Sequence, residues 1–554
     1  MKTRIISILA ASIILASCDP MGIVPGNQYD KSFAFKNMEN AELYLNHFYQ
    51  IPRNFSQFGS CALGGNNSSM SDGLTDILKY GSIVAGTGDC NLIMTVDGQQ
   101  SVSQNYFDAW TTGSSWIRRI NECLAGLEEH KANFTDEQYA EIKAEALFFR
   151  AYTWFVMMRA HASAKDDLGI IIYSDLASMS PATKDKARAS LSDSWDAILA
   201  DIEFAAANLP EPDLAAGRVH RYAALALEAR AMLYAGRYST ALAAAEKVIA
   251  SNLYSYGSDY SEIFSSLDNP EVIWGLEYAS GTLTHSFDLK YSQPGDVCES
   301  GNYGGGYAGP TQEFVDMFDN ADGTAFNPAD ASRRYLTNSN IGSRDPRLAA
   351  SVLYNGALWK GRALECCEGG VDQKYMPYGQ VNSPGNTVTG YYMRKLLDES
   401  NHDYIINGSS QSWPEFRWAE LMLIHAECLA AEGRFSEARE DVAALRRARF
   451  GRDDVHTAEA GSWDEALDLI LKERCIELCY EGHRFWDLRR TGRAARVLDG
   501  KKYSGVIWSS PDGGVPTPVS CDLGARRYPE RFDRFPIPQT EISNNSLAAQ
   551  NSDW

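Results

Sequence analysis

Two segments of the chain, Tyr222–Ile249 and Ala419–Arg446, align without a gap and constrain the fold more than any other feature. Small or apolar residues coincide in pairs along the alignment: Leu225/Met422, Ala229/Ala426, Met232/Leu429, Gly236/Gly433, Tyr238/Phe435, Ala241/Ala438 and Val248/Leu445. A glycine, an aromatic residue two positions later and an alanine three positions beyond that are typical of the tetratricopeptide repeat, which has about 34 residues. The glycine permits the turn, and small residues let the two helices approach closely. Each segment is therefore predicted to form a helix-turn-helix hairpin.

Other helical stretches extend this pattern. They are Trp116–His130, Asp136–His161 with Thr135 as its cap, and Ser194–Leu209, which Pro210 ends. Because a single repeat cannot bury its apolar face, at least three are expected to pack together. We predict a mainly α fold in which tetratricopeptide-like pairs (about 116–161, 190–251 and 415–490) form a right-handed superhelical base. Short strands are few, and Glu271–Tyr278 is predicted to be one of them.

Long segments rich in glycine, serine, asparagine and aspartate separate the helices, at about 57–105 and 280–412. Loops of this length in a compact protein are usually functional or disordered. Sugars stack their C–H faces on aromatic rings, so aromatic residues in such loops are candidates for glycan binding. The candidate ligand-binding residues are Asp72, Tyr80, Tyr303, Tyr307, Trp359, Tyr375 and Tyr378. Two alternatives stay open: the aromatic rings pack the loops internally, and Asp72 makes a turn.

Composition excludes several classes of function. The formal net charge of −21 argues against binding nucleic acid or an anionic bilayer through a basic patch. Eleven cysteines are scattered with no CxxC pair and no zinc-site spacing. No metal and no cofactor is predicted, and the sequence does not pair the cysteines.

The chain begins with Lys2 and Arg4, an apolar run from Ile5 to Leu15, and small residues that lead to Cys18. This is the layout of a secretory signal, and the run is too short to span a bilayer. Leu15 to Cys18 resembles the lipobox of bacterial lipoproteins; the alternative is an ordinary signal with a chance cysteine. The resemblance implies a signal peptide at 1–17, a lipid on Cys18, and a single body at 18–554 that meets the membrane through the lipid alone.

No catalytic residues are predicted. The sequence contains no GxSxG, GxxxxGK[ST] or HExxH motif, and the histidines lie singly. A glycosidase would need two carboxyl groups in one cleft, and no pattern points to such a pair. Arg484, Trp486, Asp487 and Arg489 lie close together in sequence, and we interpret them as a buried structural cluster of ion pairs and aromatic rings.

Several blocks in order give the chain a resemblance to a known family. They are Ala144–Arg159, His220–Leu242, Asn269–Tyr278, Pro310–Gly323, Ser343–Gly361, Thr389–Lys395, Phe416–Leu429, Glu473–Ala494 and Arg534–Asn545. With the lipobox, they make the chain similar to lipoproteins of the SusD/RagB type. This resemblance implies a cell-surface lipoprotein of the outer membrane that captures oligosaccharides or polysaccharides for a SusC-like TonB-dependent transporter.

Three functional hypotheses follow. The first is a non-enzymatic glycan-binding protein whose helical base docks on the transporter while its loops hold the ligand. The second, from a different class, is a surface enzyme that cleaves glycans. The third keeps the binding role with a peptide as ligand, as the family resemblance also permits.

Overall fold

The computed structural model describes residues 31–56, 69–82, 89–95, 100–103, 105–213, 217–257, 259–301, 304–373 and 387–554. The predicted signal peptide and Cys18 lie outside the described residues. None of the helices in these ranges is both long enough and apolar enough to cross a membrane.

Helices account for most of the regular structure, which confirms the predicted mainly α fold. In chain order they are α1 Lys31–Ala34, α2 Met38–Leu45, α3 Gln50–Phe55, α4 Asp89–Met94, α5 Ala109–Glu129, α6 Asp136–His161, α7 Leu191–Asn208, α8 Arg221–Tyr234, α9 Tyr238–Ile249, α10 Phe287–Tyr291, α11 Gln312–Met317, α12 Ala331–Arg334, α13 Pro346–Ser351, α14 Trp418–Ala431, α15 Phe435–Phe450, α16 Trp463–Glu477, α17 Arg484–Arg490, α18 Ala494–Leu498 and α19 Gln539–Asn544.

The long helices pack on one another in sequence to form the helical base. Helices α5 to α9 each contact the next, α9 contacts α14, and α14 contacts both α15 and α16. The cap predicted at Thr135 is present and is part of a capping box: the Thr135 hydroxyl accepts a hydrogen bond from the Gln138 amide, and the Gln138 side-chain oxygen accepts one from the Thr135 amide. Helix α5 begins seven residues before the predicted start, because the Asp108 side chain caps it by accepting from the Thr111 amide at 2.8 Å.

The two aligned hairpins have the same turn. Gly236 follows α8 with a φ of 69°, and Gly433 follows α14 with a φ of 79°. In each turn the next residue donates its backbone N–H to a carbonyl in the last turn of the helix: Arg237 to Met232 and Arg434 to Leu429. A Cβ at either glycine would meet nothing within 4 Å, so glycine is needed for the left-handed backbone and not for space.

The strands are short and form only two-stranded antiparallel pairs among the described residues. They are β1 Leu78–Tyr80, β2 Val272–Leu276, β3 Ala308–Pro310, β4 Val352–Leu353, β5 Leu358–Trp359, β6 Arg362–Ala363, β7 Tyr392–Met393, β8 Trp413–Arg417, β9 Ser504–Ile507 and β10 Thr517–Ser520. The pairs are β1 with β3, β2 with β8, β4 with β7, β5 with β6, and β9 with β10. Strand β2 lies within the predicted strand at Glu271–Tyr278.

A buried charge network joins the helical base to the loop-rich part of the molecule. We call this part, at about 57–105 and 280–412, the irregular half. Its centre is Glu477 at the end of α16, whose carboxylate accepts from Arg347 at 3.0 Å, Arg417 at 2.8 Å and Arg449 at 2.8 Å. Arg417 and Arg449 also share Glu271, which begins the β2 segment. All five side chains are buried, so each guanidinium depends on these carboxylates to replace lost hydration.

In the cluster predicted around Trp486, Trp486 and Asp487 are buried, whereas Arg484 and Arg489 are half-buried. The Asp487 carboxylate accepts from Arg474 at 2.8 Å and from Arg490 at 2.9 Å. The guanidinium of Arg489 lies 4.9 Å from the centre of the Trp486 ring. Each of these cations faces either a carboxylate or an aromatic ring, so the arrangement stabilises the base.

Candidate functional site

Two of the predicted site residues, Tyr80 and Tyr307, meet in the structure around a third tyrosine. The Tyr80 and Tyr291 hydroxyls share a hydrogen bond of 2.8 Å, and their rings lie 6.4 Å apart. The Tyr307 ring lies 6.4 Å from Tyr291 on its other side. Tyr80 and Tyr291 are buried, whereas Tyr307 is half-buried. We call these three residues, Tyr80, Tyr291 and Tyr307, the tyrosine row. The row runs from the interior of the protein to its surface.

Tyr80 is held too firmly to serve as an exposed ligand contact. Its hydroxyl accepts a hydrogen bond from the Met70 amide at 2.7 Å, and its ring is fully buried. Burial raises the pKa of Tyr80 well above its ordinary value. The ring therefore supports Tyr291 from inside, in agreement with the alternative that some loop tyrosines only pack.

Asp72 lies in a 3₁₀ turn, Ser71–Leu74, directly before β1. Its carboxylate is fully buried and accepts from the Gly482 amide at 3.3 Å, while its second oxygen has no hydrogen-bond partner. Burial raises the pKa of Asp72 to about 7. The structure thus favours the turn interpretation, since this side chain is not presented to solvent.

The far end of the chain fixes the β1 segment in position. Buried Lys79 pairs with Asp522 at 2.6 Å, and Asp76 pairs with Arg484 at 2.8 Å. The Ser71 hydroxyl donates to the Gly482 carbonyl at 3.2 Å. Strand β1 therefore holds the tyrosine row against elements more than four hundred residues later in the sequence.

The glycine-rich segment beside Tyr307 packs closely on the end of α10. A Cβ on Gly304 would lie 2.2 Å from the Ser292 carbonyl oxygen, and one on Gly305 would lie 2.8 Å from the Lys290 carbonyl oxygen. The Tyr307 amide donates to the Lys290 carbonyl at 3.0 Å, and its own carbonyl accepts from Gly81 at 3.1 Å. These glycines permit the close backbone approach that orients Tyr307.

Two residues next to the tyrosine row were not predicted from the sequence. The Asn91 side chain donates to the carbonyls of Tyr80 and Ser82 at 2.7 and 2.6 Å, and so fixes the chain as it leaves β1. Lys290 is half-buried, and burial lowers the pKa of its ammonium group. Among the described residues no carboxylate pairs with Lys290. No sequence motif marked either residue, because their roles depend on contacts with β1 and Tyr307.

Trp359 lies apart from the tyrosine row on β5. Its ring is 1% exposed and faces the cations of Lys360 at 5.7 Å and Arg394 at 5.9 Å from the ring centre. It is therefore a packing residue in this structure, as its place in a family-like block also allowed. The remaining predicted site residues, Tyr303, Tyr375 and Tyr378, lie outside the described residues.

The described part of the chain contains nine cysteines. The described cysteines, Cys90, Cys123, Cys298, Cys366, Cys367, Cys428, Cys475, Cys479 and Cys521, are unpaired and buried. Burial raises the pKa of Cys479 and of Cys366, which keeps these thiols protonated and unreactive. No group of three or more potential metal ligands occurs within the described ranges.

The fold and the surroundings of the tyrosine row define a class of protein. It is a helical-repeat protein with an irregular half that presents aromatic and polar side chains. The model of the SusD family matches residues 270–554, and a second model, described as starch-binding and associating with the outer membrane, matches residues 67–233. Since the first match spans more than half of the sequence, the chain belongs to the SusD family. The resemblance inferred from the sequence blocks is thereby confirmed.

Relatives with known names agree with this assignment. A SusD-like protein of Formosa agariphila is 26% identical over 431 residues, which cover 72% of this chain and 75% of the relative. A crystal structure of a SusD-like carbohydrate-binding protein from Bacteroides fragilis has a TM-score of 0.76 at 22% identity and covers 93% of this chain and 99% of its own. A laminarin-binding SusD-like protein has a TM-score of 0.66 at 21% identity, with 94% and 100% covered. The structural likeness establishes the shared fold.

Proposed function

We propose that this protein is a non-enzymatic, glycan-binding lipoprotein of the cell surface. The observation that carries the proposal is membership of the SusD family over the whole C-terminal half, together with the same fold as proteins described as carbohydrate-binding and laminarin-binding. Tethering fits the sequence: a lipid on Cys18 would hold the single body 18–554 at the outer membrane, where the captured oligosaccharide passes to a SusC-like TonB-dependent transporter. The description of the second family model, which includes association with the outer membrane, supports this location.

The binding region in this proposal begins at the edge of the tyrosine row. Tyr307 offers the partly exposed ring on which the C–H face of a sugar stacks. Lys290, joined to Tyr307 through the backbone, supplies three N–H donors for sugar hydroxyls and has no internal carboxylate that competes for them in the described part of the chain. Tyr303, Tyr375 and Tyr378 remain proposed contacts on the basis of the sequence.

The test is calorimetric titration of the soluble chain from residue 19 onward with laminarin, soluble starch and other polysaccharides. The Tyr307→Ala substitution removes one stacking ring, which is worth about 1 kcal/mol, so we expect Kd to rise roughly fivefold. Tyr139→Ala is the matched control, because Tyr139 is a half-buried tyrosine on α6 of the helical base. Equal losses in both variants would contradict a binding role for Tyr307.

The same preparation distinguishes the other two hypotheses. Reducing ends that accumulate during incubation with the bound polysaccharide, and that disappear when one carboxylate is replaced, would indicate a glycan-cleaving enzyme and refute the proposal. A parallel panel of oligopeptides tests the third hypothesis. Binding of peptides with no binding of any polysaccharide would identify a peptide-binding member of the family.

A further inference from the structure

Five exposed aliphatic side chains from four segments of the irregular half form a candidate surface. We call this surface the aliphatic corner; its members are Val297, Leu358, Val371, Ile405 and Ile406, and their exposed fractions are 60%, 65%, 56%, 38% and 76%. Single exposed apolar residues are normal on a protein surface, whereas a group of them marks an interaction site. The question is whether these five belong together, since they come from four separate segments of the chain.

One buried ion pair gathers three of the segments. The Lys360 ammonium, two residues after Leu358, lies 2.8 Å from Asp296 and donates to the Asn401 carbonyl at 2.6 Å. The Tyr404 hydroxyl donates to the Asp296 carbonyl at 2.7 Å. Val297 directly follows Asp296, and Ile405 and Ile406 directly follow Tyr404. The exposed residues therefore surround a shared buried anchor.

A second ion pair adds the fourth segment. Arg362 on β6 binds both carboxylate oxygens of Asp372, at 2.6 and 2.7 Å, and Val371 directly precedes Asp372. The chain at Gly295 packs on this pair so closely that a Cβ there would lie 2.3 Å from the Asp372 carboxylate. Because Gly295 adjoins Asp296, the two ion pairs are neighbours. The aliphatic corner is thus a built surface that rests on a rigid polar network.

Among the described residues, the rim of the aliphatic corner is acidic. The described cations near it are neutralised internally: Lys360 by Asp296, Arg362 by Asp372, and Arg394 by Glu399 at 3.0 Å. Two exposed carboxylates near the corner, Glu299 and Glu368, have no cationic partner among the described residues. An acidic rim repels a second copy of the same surface and an anionic lipid surface, and it attracts a partner with lysine and arginine around apolar side chains.

The chemistry of the side chains also separates a protein from a glycan. Sugars stack on aromatic rings, and the five side chains that form the aliphatic corner include no aromatic ring. The corner therefore lacks the group on which a sugar would stack. Aliphatic side chains inside a charged rim resemble the apolar core and polar rim of a protein interface. The candidate glycan site at Tyr307 has the opposite character, since it offers a partly exposed aromatic ring.

We propose that the aliphatic corner is the docking surface for a protein partner whose contact face presents apolar side chains within a rim of lysine and arginine. The assignment rests on the proposed function, under which that partner is the transporter that receives the glycan. It shifts the predicted contact from the helical base to the irregular half. Capture and delivery then use two different surfaces of the irregular half, an aromatic one for the sugar and an aliphatic one for the protein.

The test uses the full lipidated chain, expressed with an affinity tag in its own cells and purified from detergent-solubilised outer membranes. The amount of TonB-dependent transporter retained is measured by quantitative mass spectrometry. Leu358→Glu combined with Ile406→Glu places two carboxylates in the centre of the corner, and we expect retention to fall at least tenfold. The matched control is Leu253→Glu combined with Leu547→Glu, whose residues are 52% and 56% exposed elsewhere on the surface, and it should retain the wild-type amount.

Each outcome has a defined meaning. Equal retention by the corner variant and the wild type overturns the assignment and leaves the proposed function intact. If the wild type retains no transporter, delivery to the transporter and this assignment both fail, whereas glycan binding is judged separately by calorimetry. A wild-type dimer in sedimentation that the corner variant abolishes would identify a second copy as the occupant. Binding of the unlipidated chain to phosphatidylglycerol vesicles, lost in the corner variant, would identify a lipid surface instead. Either result overturns the proposal.

Discussion

Glu477 at the centre of the buried charge network provides the sharpest test of how the two halves of the molecule are held together. Its carboxylate accepts hydrogen bonds from Arg347, Arg417 and Arg449, and all four side chains are at most 1% exposed. Glu477→Gln keeps the shape of the side chain but removes the negative charge, so three buried guanidinium groups lose a shared counter-ion. Breaking a buried pair in this way costs about 3–5 kcal/mol.

The expected shift in Tm follows from the size of the protein. An unfolding entropy of about 2.1 cal/mol/K per residue gives ~1.2 kcal/mol/K for a chain of 554 residues. A loss of about 4 kcal/mol therefore lowers Tm by ~3 °C, which differential scanning calorimetry resolves. The matched control is Glu437→Gln on α15, an exposed glutamate paired with Arg434, for which we expect little change in Tm because solvent screens the pair.

The pH dependence of this effect has a definite sign. Burial alone would raise the pKa of Glu477, but Arg449, Arg417 and Arg347 outweigh it and hold the pKa well below its ordinary value. A carboxyl whose pKa is lowered in the folded state stabilises the protein above its unfolded pKa of about 4.3, and that stability is lost as pH falls toward the folded pKa. The difference in Tm between wild type and Glu477→Gln should stay constant from pH 8 to 5 and shrink below about pH 4. If Glu477→Gln lowers Tm at pH 7 by no more than the Glu437→Gln control does, Glu477 is not the essential counter-ion of the network.

Two further expectations concern the candidate site. Gly304→Ala forces a methyl group against the Ser292 carbonyl oxygen and should lower the free energy of unfolding by about 1–3 kcal/mol in urea titrations, whereas Gly524→Ala, which has open space around its Cβ, should change it little. Burial raises the pKa of Asp72 to about 7, so the stability contributed by the neutral Asp72 carboxyl should be fully present below about pH 4 and be lost as pH rises to about 7, by an amount on the order of 4 kcal/mol. Asp72→Asn should remove that decline in Tm measured between pH 4 and 8, and an unchanged pH profile would show that the carboxyl does not titrate in this range.

The helical base could be predicted from the sequence because its signals are local. The turns at Gly236 and Gly433, the cap at Thr135 and the periodic apolar positions each depend on residues within one or two turns of helix. The cluster around Trp486 was interpreted correctly for a similar reason, since Arg484, Asp487 and Arg489 lie on one short helix. The order and number of the sequence blocks then indicated the family, which the comparison with family models confirmed.

The candidate site could be predicted only in part, because burial in the irregular half depends on distant contacts. Tyr80 and Asp72 occur in a polar, glycine-rich stretch that resembles an exposed loop, yet Tyr291 and Gly482 cover them from far along the chain. Trp359 is buried on the short strand β5, which has too few residues to show a periodic pattern in the sequence. Tyr307 retains a partly exposed ring. Lys290, whose carbonyl accepts from the Tyr307 amide, could not be predicted from the sequence because no motif marks it. The three-dimensional path of the loops, and not their composition, decides which rings are exposed.

The ties between β1 and the end of the chain also have a consequence for biosynthesis. Lys79 needs Asp522, and Asp76 needs Arg484, before the segment that carries Tyr80 has its charges compensated. Helical hairpins such as α8 with α9 form from neighbouring residues and can fold as they emerge, whereas contacts of such high sequence separation form late. The β1 segment, which supports the proposed glycan site, is thus completed only after nearly the entire polypeptide has been synthesised. A chain that ends before Arg484 would keep the α8–α9 hairpin, but Asp76 and Lys79 would lack their partners and the β1 segment would stay uncompensated.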